Sequence, residues 1–153
     1  MSYMKRSYLI DTNVLIYSVD MMSSLFPLAR YVIKRGEERS FFPYLSVQNI
    51  SETYAIITSS RLSNPLSSKE AGELLLTLFT GRIFEILSIN DKIVSSALNI
   101  AKERNIISQR FFDAVLAATI IEYQLTGIIT NNPSDFLNLS FDVIPLEDIF
   151  KFF

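Results

Sequence analysis

Short apolar segments alternate along this chain with longer segments whose apolar residues have helical spacing. The short segments predict strands at residues 7–11, 40–45, 84–89, 128–130 and 141–144. The helical spacing predicts helices at residues 14–19, 25–35, 47–60, 69–79, 91–105 and 111–125, with a short one at 146–153. This alternation predicts an α/β fold with a mainly parallel sheet. Right-handed crossovers then place the strand ends after residues 10, 44 and 130 on one edge of the sheet.

Turn and cap residues predict where several of these elements begin and end. Gly36 follows the second helix and is a good C-cap, and Pro43 suggests the end of a strand rather than its middle. Ser46 and Asp91 are expected to be the N-caps of the helices that follow them. No segment rich in glycine, proline and serine is long enough to divide the chain, so we expect residues 1–153 to form a single domain.

One acidic residue interrupts the apolar sequence around the first strand. In the stretch YLIDTNVLIY, from Tyr8 to Tyr17, Asp11 stands between two apolar runs. A strand that ends there and turns into a helix would place this carboxylate at the carboxyl edge of the sheet, where open α/β sheets bind ligands. A buried carboxylate is costly without a positive charge nearby, and no lysine or arginine lies between Ser7 and Ala29. Asp11 is therefore either a metal ligand or only the N-cap of the next helix.

Composition narrows the chemistry that this chain can perform. Its 153 residues include 14 Lys+Arg and 16 Asp+Glu, with neither cysteine nor histidine. Disulfides, thiol nucleophiles, histidine-ligated zinc and a Ser-His-Asp triad are thereby excluded. The net charge of −2 and the sequence pI near 5.2 argue against a general attraction to nucleic acid, although a local basic patch or a metal can still meet phosphates.

Two further acidic residues lie in predicted helices. Asp113, in FFDAVLAATII, can be an N-cap, an ion-pair partner of Arg110 or a functional carboxylate. Glu52 lies opposite the predicted apolar face of its helix, so that periodicity alone places it in solvent. That apolar face consists of Val47, Ile50, Tyr54 and Ile57.

A polar segment follows the predicted strand at 128–130. It reads Thr130-Asn131-Asn132-Pro133-Ser134-Asp135-Phe136. These residues offer hydroxyl, amide and carboxylate oxygens to an ion or a phosphate. Asn-Pro is also strong turn chemistry, so an ordinary β-turn explains the same residues equally well.

Together these segments resemble the PIN domain family, and within it the small VapC-type toxin ribonucleases, over nearly the whole chain. Asp11-Thr12-Asn13 is similar to the opening D-[TS]-[NS] motif of that family, and Ser46 to Glu52 is similar to its S-x5-E helix. Asp113-Ala114 with Ala117-Ala118 looks like its D-A-x-x-A-A helix. Thr130 to Phe136 matches the closing T-x-N-x-x-[DE]-F motif.

The resemblance implies a three-layer α/β/α sandwich with a mainly parallel central sheet, and Mg²⁺- or Mn²⁺-dependent cleavage of RNA phosphodiester bonds. The implied metal dependence agrees with elementary chemistry, since hard divalent cations prefer carboxylate and amide oxygens plus water. A cluster of acids also repels itself, and repels a phosphate, unless a cation lies between them. Many family members have aspartate at the position of Asn132, so a fourth acid is either lost here or supplied by Asp135.

The resemblance further implies a role for each candidate residue. Asp11 and Asp113 would be the principal metal ligands, and Glu52 would hold a second metal or a metal-bound water. Asn132 and Asp135 would complete the rim of the site. The residues expected to orient ligands or contact phosphate are Thr12, Asn13, Ser46 and Thr130. The candidate bases for contact with the RNA backbone are Lys5, Arg6, Arg61, Arg82 and Arg110.

The expected partners are an RNA substrate, a cognate antitoxin protein and a second copy of the chain. The chain has 12 Phe and 7 Tyr, and the late aromatic residues suggest an exposed apolar patch that a homodimer or an antitoxin would cover. Those late residues are Phe111, Phe112, Phe150, Phe152 and Phe153. Residues 1–6 are polar and basic, unlike a signal peptide, and no apolar stretch reaches membrane-spanning length, so we expect a cytoplasmic protein.

Two other functions are consistent with parts of the sequence. A non-catalytic PIN-like module that binds RNA or a protein is compatible with Asn132 and with the acidic pI. A phosphatase that starts from a strand-end aspartate normally needs a second aspartate two residues later. This chain has Asn13 at that position, which disfavours the phosphatase.

Overall fold

The computed structural model describes residues 5–153, and the sheet within them has five strands. The strands are β1 Ser7–Ile10, β2 Phe42–Ser46, β3 Glu85–Leu87, β4 Gly127–Thr130 and β5 Asp142–Pro145. Their order is β3-β2-β1-β4-β5, and every neighbouring pair is parallel. The predicted parallel sheet is confirmed, and the carboxyl ends of β1, β2 and β4 lie side by side. Residues 1–4, part of the segment compared with a signal peptide, lie outside the described residues.

Helices follow the strands in alternation. They are α1 Thr12–Val19, α2 Phe26–Glu37, α3 Val47–Ile57, α4 Ser68–Thr80, α5 Asp91–Arg104 and α6 Phe111–Glu122. Short 3-10 turns lie at Ser108–Arg110, Pro133–Phe136 and Leu146–Lys151. Within residues 5–153, no helix combines the length and the apolar content that crossing a membrane requires.

The alternating side chains of β1 divide the helices into two layers. Tyr8 and Ile10 pack in one hydrophobic cluster with residues of α1, α2, α3 and α4. Leu9 points to the opposite face, where it packs with Leu116 and Ile120 of α6. α5 packs against α6 on that second face. The fold is therefore a three-layer α/β/α sandwich, and the sheet is buried on both faces, as parallel sheets require.

The contact between α2 and β2 corrects two predicted boundaries. Gly36 does not end its helix but lies buried inside α2, where a Cβ atom would be 3.1 Å from the Pro43 ring. Close packing of helix on strand, rather than a turn, explains this glycine. Pro43 lies inside β2 and not at its end. The Phe42 N–H bonds toward β1, so the N–H that Pro43 lacks would point toward β3, which begins only opposite Tyr44.

The start of α5 differs from the prediction by one residue. The N-cap is Asn90, whose side-chain oxygen accepts a hydrogen bond from the Ile93 N–H. Asp91 is instead the first residue of the helix, where its charge interacts favourably with the helix dipole. Ser46, in contrast, is the N-cap of α3 as predicted, and β2 passes into α3 with no residue between them.

Gly127 allows a close contact between β4 and β5, and this contact can be tested. A Cβ atom at Gly127 would lie 1.9 Å from the Asp142 carbonyl oxygen. Gly127→Ala must therefore push the strands apart and should lower the free energy of unfolding by about 3 kcal/mol. The control is Gly72 in α4, which has nothing within 4 Å of its Cβ position. Gly72→Ala should raise that free energy by about 0.5 kcal/mol. Urea unfolding measures both, and equal effects would contradict the strand contact.

Candidate active site

The carboxyl edge of the sheet gathers residues that are far apart in the sequence. Asp11 directly follows β1, and α3, which carries Glu52, directly follows β2. Thr130 ends β4 and begins the segment that leads to Asp135. Asp113 comes from the helical layer on the second face, in the first turn of α6. The topology therefore brings all the predicted acidic residues to one edge.

Asp11 is buried, and both of its carboxylate oxygens accept hydrogen bonds. The Thr12 backbone N–H donates to Oδ1 at 2.7 Å, and the Thr130 hydroxyl donates to Oδ2 at 2.7 Å. The Asn13 amide also donates to Oδ2, at 3.3 Å. Burial raises the pKa of the Asp11 carboxyl, and the hydrogen bonds from these neutral groups act in the opposite direction. Asp11 caps α1 and its charge also acts on Glu52, so the two roles considered from the sequence are compatible.

A buried polar network next to Asp11 ties α1 to α3. The Asn49 amide donates to the Thr12 hydroxyl at 3.1 Å, and the Asn49 side-chain oxygen accepts from the Ser46 N–H at 2.9 Å. Thr12, Ser46 and Asn49 are all buried, so their contacts fix the helix starts. The sequence reasoning did not single out Asn49. Asn49 could have been recognised from its position three residues after the N-cap, where a side chain can complete a capping box.

Glu52 is half-buried, whereas periodicity predicted that it faces solvent. Val47 and Tyr54, members of the predicted apolar face, are 38% and 39% exposed. The buried residues of α3 are Asn49, Ile50, Thr53 and Ile57. The hydrogen bonds of Asn49 hold this polar residue inside the protein, and α3 is therefore rotated away from the orientation that its apolar residues alone predict.

Gln48 holds the Glu52 carboxylate in place. Its Nε2 donates to Oε1 of Glu52 at 2.6 Å and to the Phe112 carbonyl oxygen at 3.1 Å, which links α3 to α6. Burial raises the pKa of Glu52, the Gln48 hydrogen bond lowers it, and the charge of Asp11 raises it. Gln48 was not recognised from the sequence. Gln48 could have been recognised because it lies four residues before Glu52, a spacing that puts both side chains on one side of the helix.

The surroundings of Asp113 strongly raise the pKa of its carboxyl. Asp113 is the third residue of α6 and not its N-cap. Its pKa is raised from 3.8 to about 7, first by burial and then by the charges of Asp135, Asp11 and Glu52. The charge of Arg110 acts in the opposite direction. The acidic residues are thus near enough to destabilise one another's charged forms.

The segment after β4 is a 3-10 turn tied to β4 and α1. The Thr130 hydroxyl accepts from the Asn132 N–H at 2.9 Å, and the Asn132 carbonyl accepts from the Asp135 N–H at 3.1 Å. The Asn13 side-chain oxygen accepts from the Asn131 N–H at 3.2 Å. Thr130 and Asn13 therefore bind both Asp11 and this segment. Asn132 is exposed, whereas Asp135 is half-buried.

Asp135 supplies a fourth negative charge at this edge. Its carboxylate is the first of the charges that raise the pKa of Asp113, and it also raises that of Asp11. Arg110 was considered as a partner of Asp113, but its ion pair is with Asp135, at 3.8 Å between Nη2 and Oδ1. The sequence left open whether a fourth acid is lost at Asn132 or supplied by Asp135. The position of Asp135 is consistent with the second alternative.

The donor atoms of this edge fit a hard divalent cation. They are carboxylate, amide and hydroxyl oxygens, which Mg²⁺ and Mn²⁺ prefer. A cation would also relieve the repulsion that raises the pKa of Asp113. In the described part of the chain, no three acidic side chains converge closely enough to form a ready ligand cage.

Comparison with known protein families gives one match. The family model described as PIN domain matches residues 8–141. A search of curated protein sequences finds no match.

Several solved structures share the fold. A toxin–antitoxin complex from Klebsiella pneumoniae has a TM-score of 0.62 at 19% identity, covering 91% of this chain and 97% of that chain. DNA-bound VapBC from Salmonella typhimurium has a TM-score of 0.64 at 14% identity, covering 94% and 99%. VapC20 from Mycobacterium tuberculosis, described as a Sarcin-Ricin loop cleaving toxin, has a TM-score of 0.63 at 9% identity, covering 79% and 86%. At these identities the similarity establishes a shared fold.

The hydrogen bond from Thr130 to Asp11 can be tested by a matched pair of substitutions. Thr130→Val keeps the side-chain shape but removes the donor to a buried carboxylate, and should lower the free energy of unfolding by about 2 kcal/mol. The control is Thr119→Val. Thr119 is equally buried, but its hydroxyl donates only to the Val115 carbonyl in its own helix, so its loss should cost little. Urea unfolding in EDTA compares them, and a smaller effect at Thr130 than at Thr119 would contradict this role.

The raised pKa of Asp113 predicts a pH dependence of stability in metal-free protein. Because the folded-state pKa of about 7 lies above the ordinary 3.8, the folded protein binds the proton more tightly between these values. Stability from this group is therefore present below about pH 4 and lost as the pH rises through 7. Asp113→Asn removes the charge, and should stabilise the metal-free protein at pH 8 by about 1 kcal/mol after allowance for solvent screening.

Thermal and urea unfolding in EDTA between about pH 4 and pH 8 measure this effect. The control is Asp91→Asn, the same change in the first turn of α5 at an exposed residue. Asp91→Asn should not stabilise the metal-free protein at pH 8. An Asp113→Asn protein with the pH profile of the wild type would contradict the repulsion.

Proposed function

Because this chain belongs to the PIN domain family, we propose that it is an endoribonuclease that hydrolyses RNA phosphodiester bonds with Mg²⁺ or Mn²⁺. The proposal includes a biological role as the toxin component of a type II toxin–antitoxin pair of the VapBC kind. The toxin–antitoxin complex from Klebsiella pneumoniae and VapBC from Salmonella typhimurium, which share the fold, support this role.

The observation that carries the proposal is the mutual repulsion of the acidic residues at the carboxyl edge. Burial and the charges of Asp135, Asp11 and Glu52 raise the pKa of Asp113 to about 7. Arg110 is the cation that opposes them there, and its side chain is 67% exposed. Such an arrangement costs stability in the free protein, and this cost is recovered when a divalent cation binds. Strongly perturbed carboxylates in one cluster are typical of functional sites.

Each candidate residue has a role in this proposal. Asp11 and Asp113 are the principal ligands, Glu52 holds a second cation or its water, and Asn132 and Asp135 complete the rim. A bound divalent cation supplies Lewis acidity toward the phosphodiester and lowers the pKa of the attacking water.

The neutral donors around the acids keep the carboxylates oriented. Thr130 and Asn13 both donate to Oδ2 of Asp11, and the Thr12 N–H donates to Oδ1, which leaves a lone pair of Oδ1 for a cation. Gln48 donates to Oε1 of Glu52 in the same way. Because these donors carry no charge, they fix the geometry without neutralising the carboxylates, so that the negative charge remains available to a cation.

The proposal also includes RNA as the substrate, a cognate antitoxin, a homodimer and a cytoplasmic location. Phe112, Phe150 and Phe152 are 49%, 63% and 48% exposed, which supports contact with another protein. Phe111 and Phe153 instead pack against hydrophobic clusters. The exposed aromatic surface is therefore smaller than the sequence suggested.

Cleavage of RNA by purified protein tests the proposal. Asp113→Asn should reduce Mn²⁺-dependent cleavage of a labelled RNA at least about 100-fold, since a lost ligand is worth several kcal/mol in the transition state. Asp11→Asn should do the same. Asp91→Asn makes the same chemical change in the first turn of a neighbouring helix and should retain activity. EDTA should abolish cleavage, and circular dichroism should show that all variants are folded. Cleavage by Asp113→Asn at the wild-type rate would contradict the assigned site.

A non-catalytic PIN-like module that binds RNA or a protein is the second candidate. It is favoured by the side chain of Asn132 and by the lack, within residues 5–153, of three converging acids. Isothermal titration calorimetry with MnCl₂ separates the two functions. A folded protein that binds RNA, but neither binds Mn²⁺ nor cleaves, is the module.

A further inference from the structure

A cavity beside the acidic edge has a different chemistry from the edge itself. It adjoins Asp135 and has a volume of about 320 Å³. Its polar lining consists of two guanidinium groups, a hydroxyl, an amide and one carboxylate. The residues that supply them are Arg104, Arg110, Ser134, Asn138 and Asp135.

The two arginines of this cavity are held differently. Arg104 ends α5, is half-buried, and donates to the Leu137 carbonyl oxygen. Arg110 ends the 3-10 turn before α6, and its side chain is 67% exposed. Its Nη2 lies 3.8 Å from Oδ1 of Asp135, which is beyond hydrogen-bonding distance. An exposed ion pair of this kind contributes little to stability, so Arg110 can exchange Asp135 for another anion at small cost.

The topology distinguishes Arg110 from the other candidate bases. Lys5 and Arg6 precede β1 and Arg82 precedes β3, so these residues lie toward the amino edge of the sheet. Arg61 follows α3, which starts at the carboxyl edge and runs away from it. Arg110 is the candidate that lies at the carboxyl edge, where its charge acts on Asp113.

The donors that line this cavity can bind a phosphate group. The guanidinium group presents a planar fork of N–H donors that matches phosphate oxygens, and Ser134 and Asn138 add a hydroxyl and an amide. The acids nearby repel an RNA backbone, so a positive flank is needed to hold the strand against the edge. We infer that this cavity binds a backbone phosphate next to the one that is cleaved, with Arg110 and Arg104 as its contacts. This inference rests on the proposed function.

RNA binding at several salt concentrations tests the cavity apart from cleavage. The host is the Asp113→Asn protein with Mn²⁺, and the probe is a fluorescein-labelled single-stranded RNA followed by fluorescence anisotropy. Arg110→Ala should weaken binding about 5-fold and reduce the slope of log K against log salt by about 0.7, the value for one phosphate contact on a single strand. Arg110→Lys retains the charge and should retain the slope. Arg61→Ala should change neither quantity.

Steady-state cleavage in the otherwise wild-type protein provides the second measurement. Arg110→Ala should raise KM about 5-fold with kcat nearly unchanged, because a phosphate that does not itself react is bound equally in the ground and transition states. A role confined to the ion pair with Asp135 would instead leave both KM and the salt slope unchanged. Arg104→Ala should act in the same direction as Arg110→Ala.

The outcomes separate this inference from the proposed function. If Arg110→Ala binds RNA with the affinity and salt slope of its host while the wild type cleaves RNA, the cavity assignment is wrong and the nuclease remains. If the slope falls as expected but the wild type does not cleave, the phosphate site stands and the nuclease is wrong. If the wild type neither binds nor cleaves RNA, both are overturned.

Discussion

Electrostatic repulsion between carboxylates at the carboxyl edge is the cost that the surrounding structure has to offset. Asp11, Glu52, Asp113 and Asp135 come from different elements, and the charges of the other three raise the pKa of Asp113. Nothing local in the sequence requires them to meet. They meet because parallel strands deliver their carboxyl ends to the same edge and because the apolar core on both faces of the sheet holds the strands in register. The stability of the core offsets the cost of a site that is unfavourable without a counter-charge.

The precision of this edge comes from helix caps rather than from ion pairs. Asp11 caps α1, and Ser46 caps α3 with the help of Asn49. Asn49 then reaches Thr12, so that the two caps become one buried network. Neutral donors are suited to this task because they fix carboxylate positions but leave their charge in place. Thr130 extends the network by binding Asp11 and the backbone of the next segment.

Much of the fold, and part of the site, could be predicted from the sequence. The parallel sheet follows from the alternation of short apolar segments with segments of helical spacing. The N-cap role of Ser46 follows from the preference for serine at helix N-termini. The burial of Glu52 could not be predicted, because the buried amide of Asn49 turns α3 so that Val47 and Tyr54 are exposed while Ile50 and Ile57 remain buried. The helical position of Gly36 depends on how closely a strand approaches, and the partner of Arg110 depends on a turn distant in the sequence. Such contacts between elements leave little trace in local patterns.

Two junctions between strand and helix at this edge are as short as a chain allows. A single residue, Asp11, separates β1 from α1, and no residue separates β2 from α3. One residue inserted after Ser46 would rotate Glu52 by about 100° around the helix axis and carry its carboxylate out of the cluster. The connection between α3 and α4 at residues 58–67 is longer, and most of it is exposed although Leu62 is buried, so that insertions and deletions are absorbed there more easily. The chain can therefore change its length in this connection at a much smaller cost than at the start of α3.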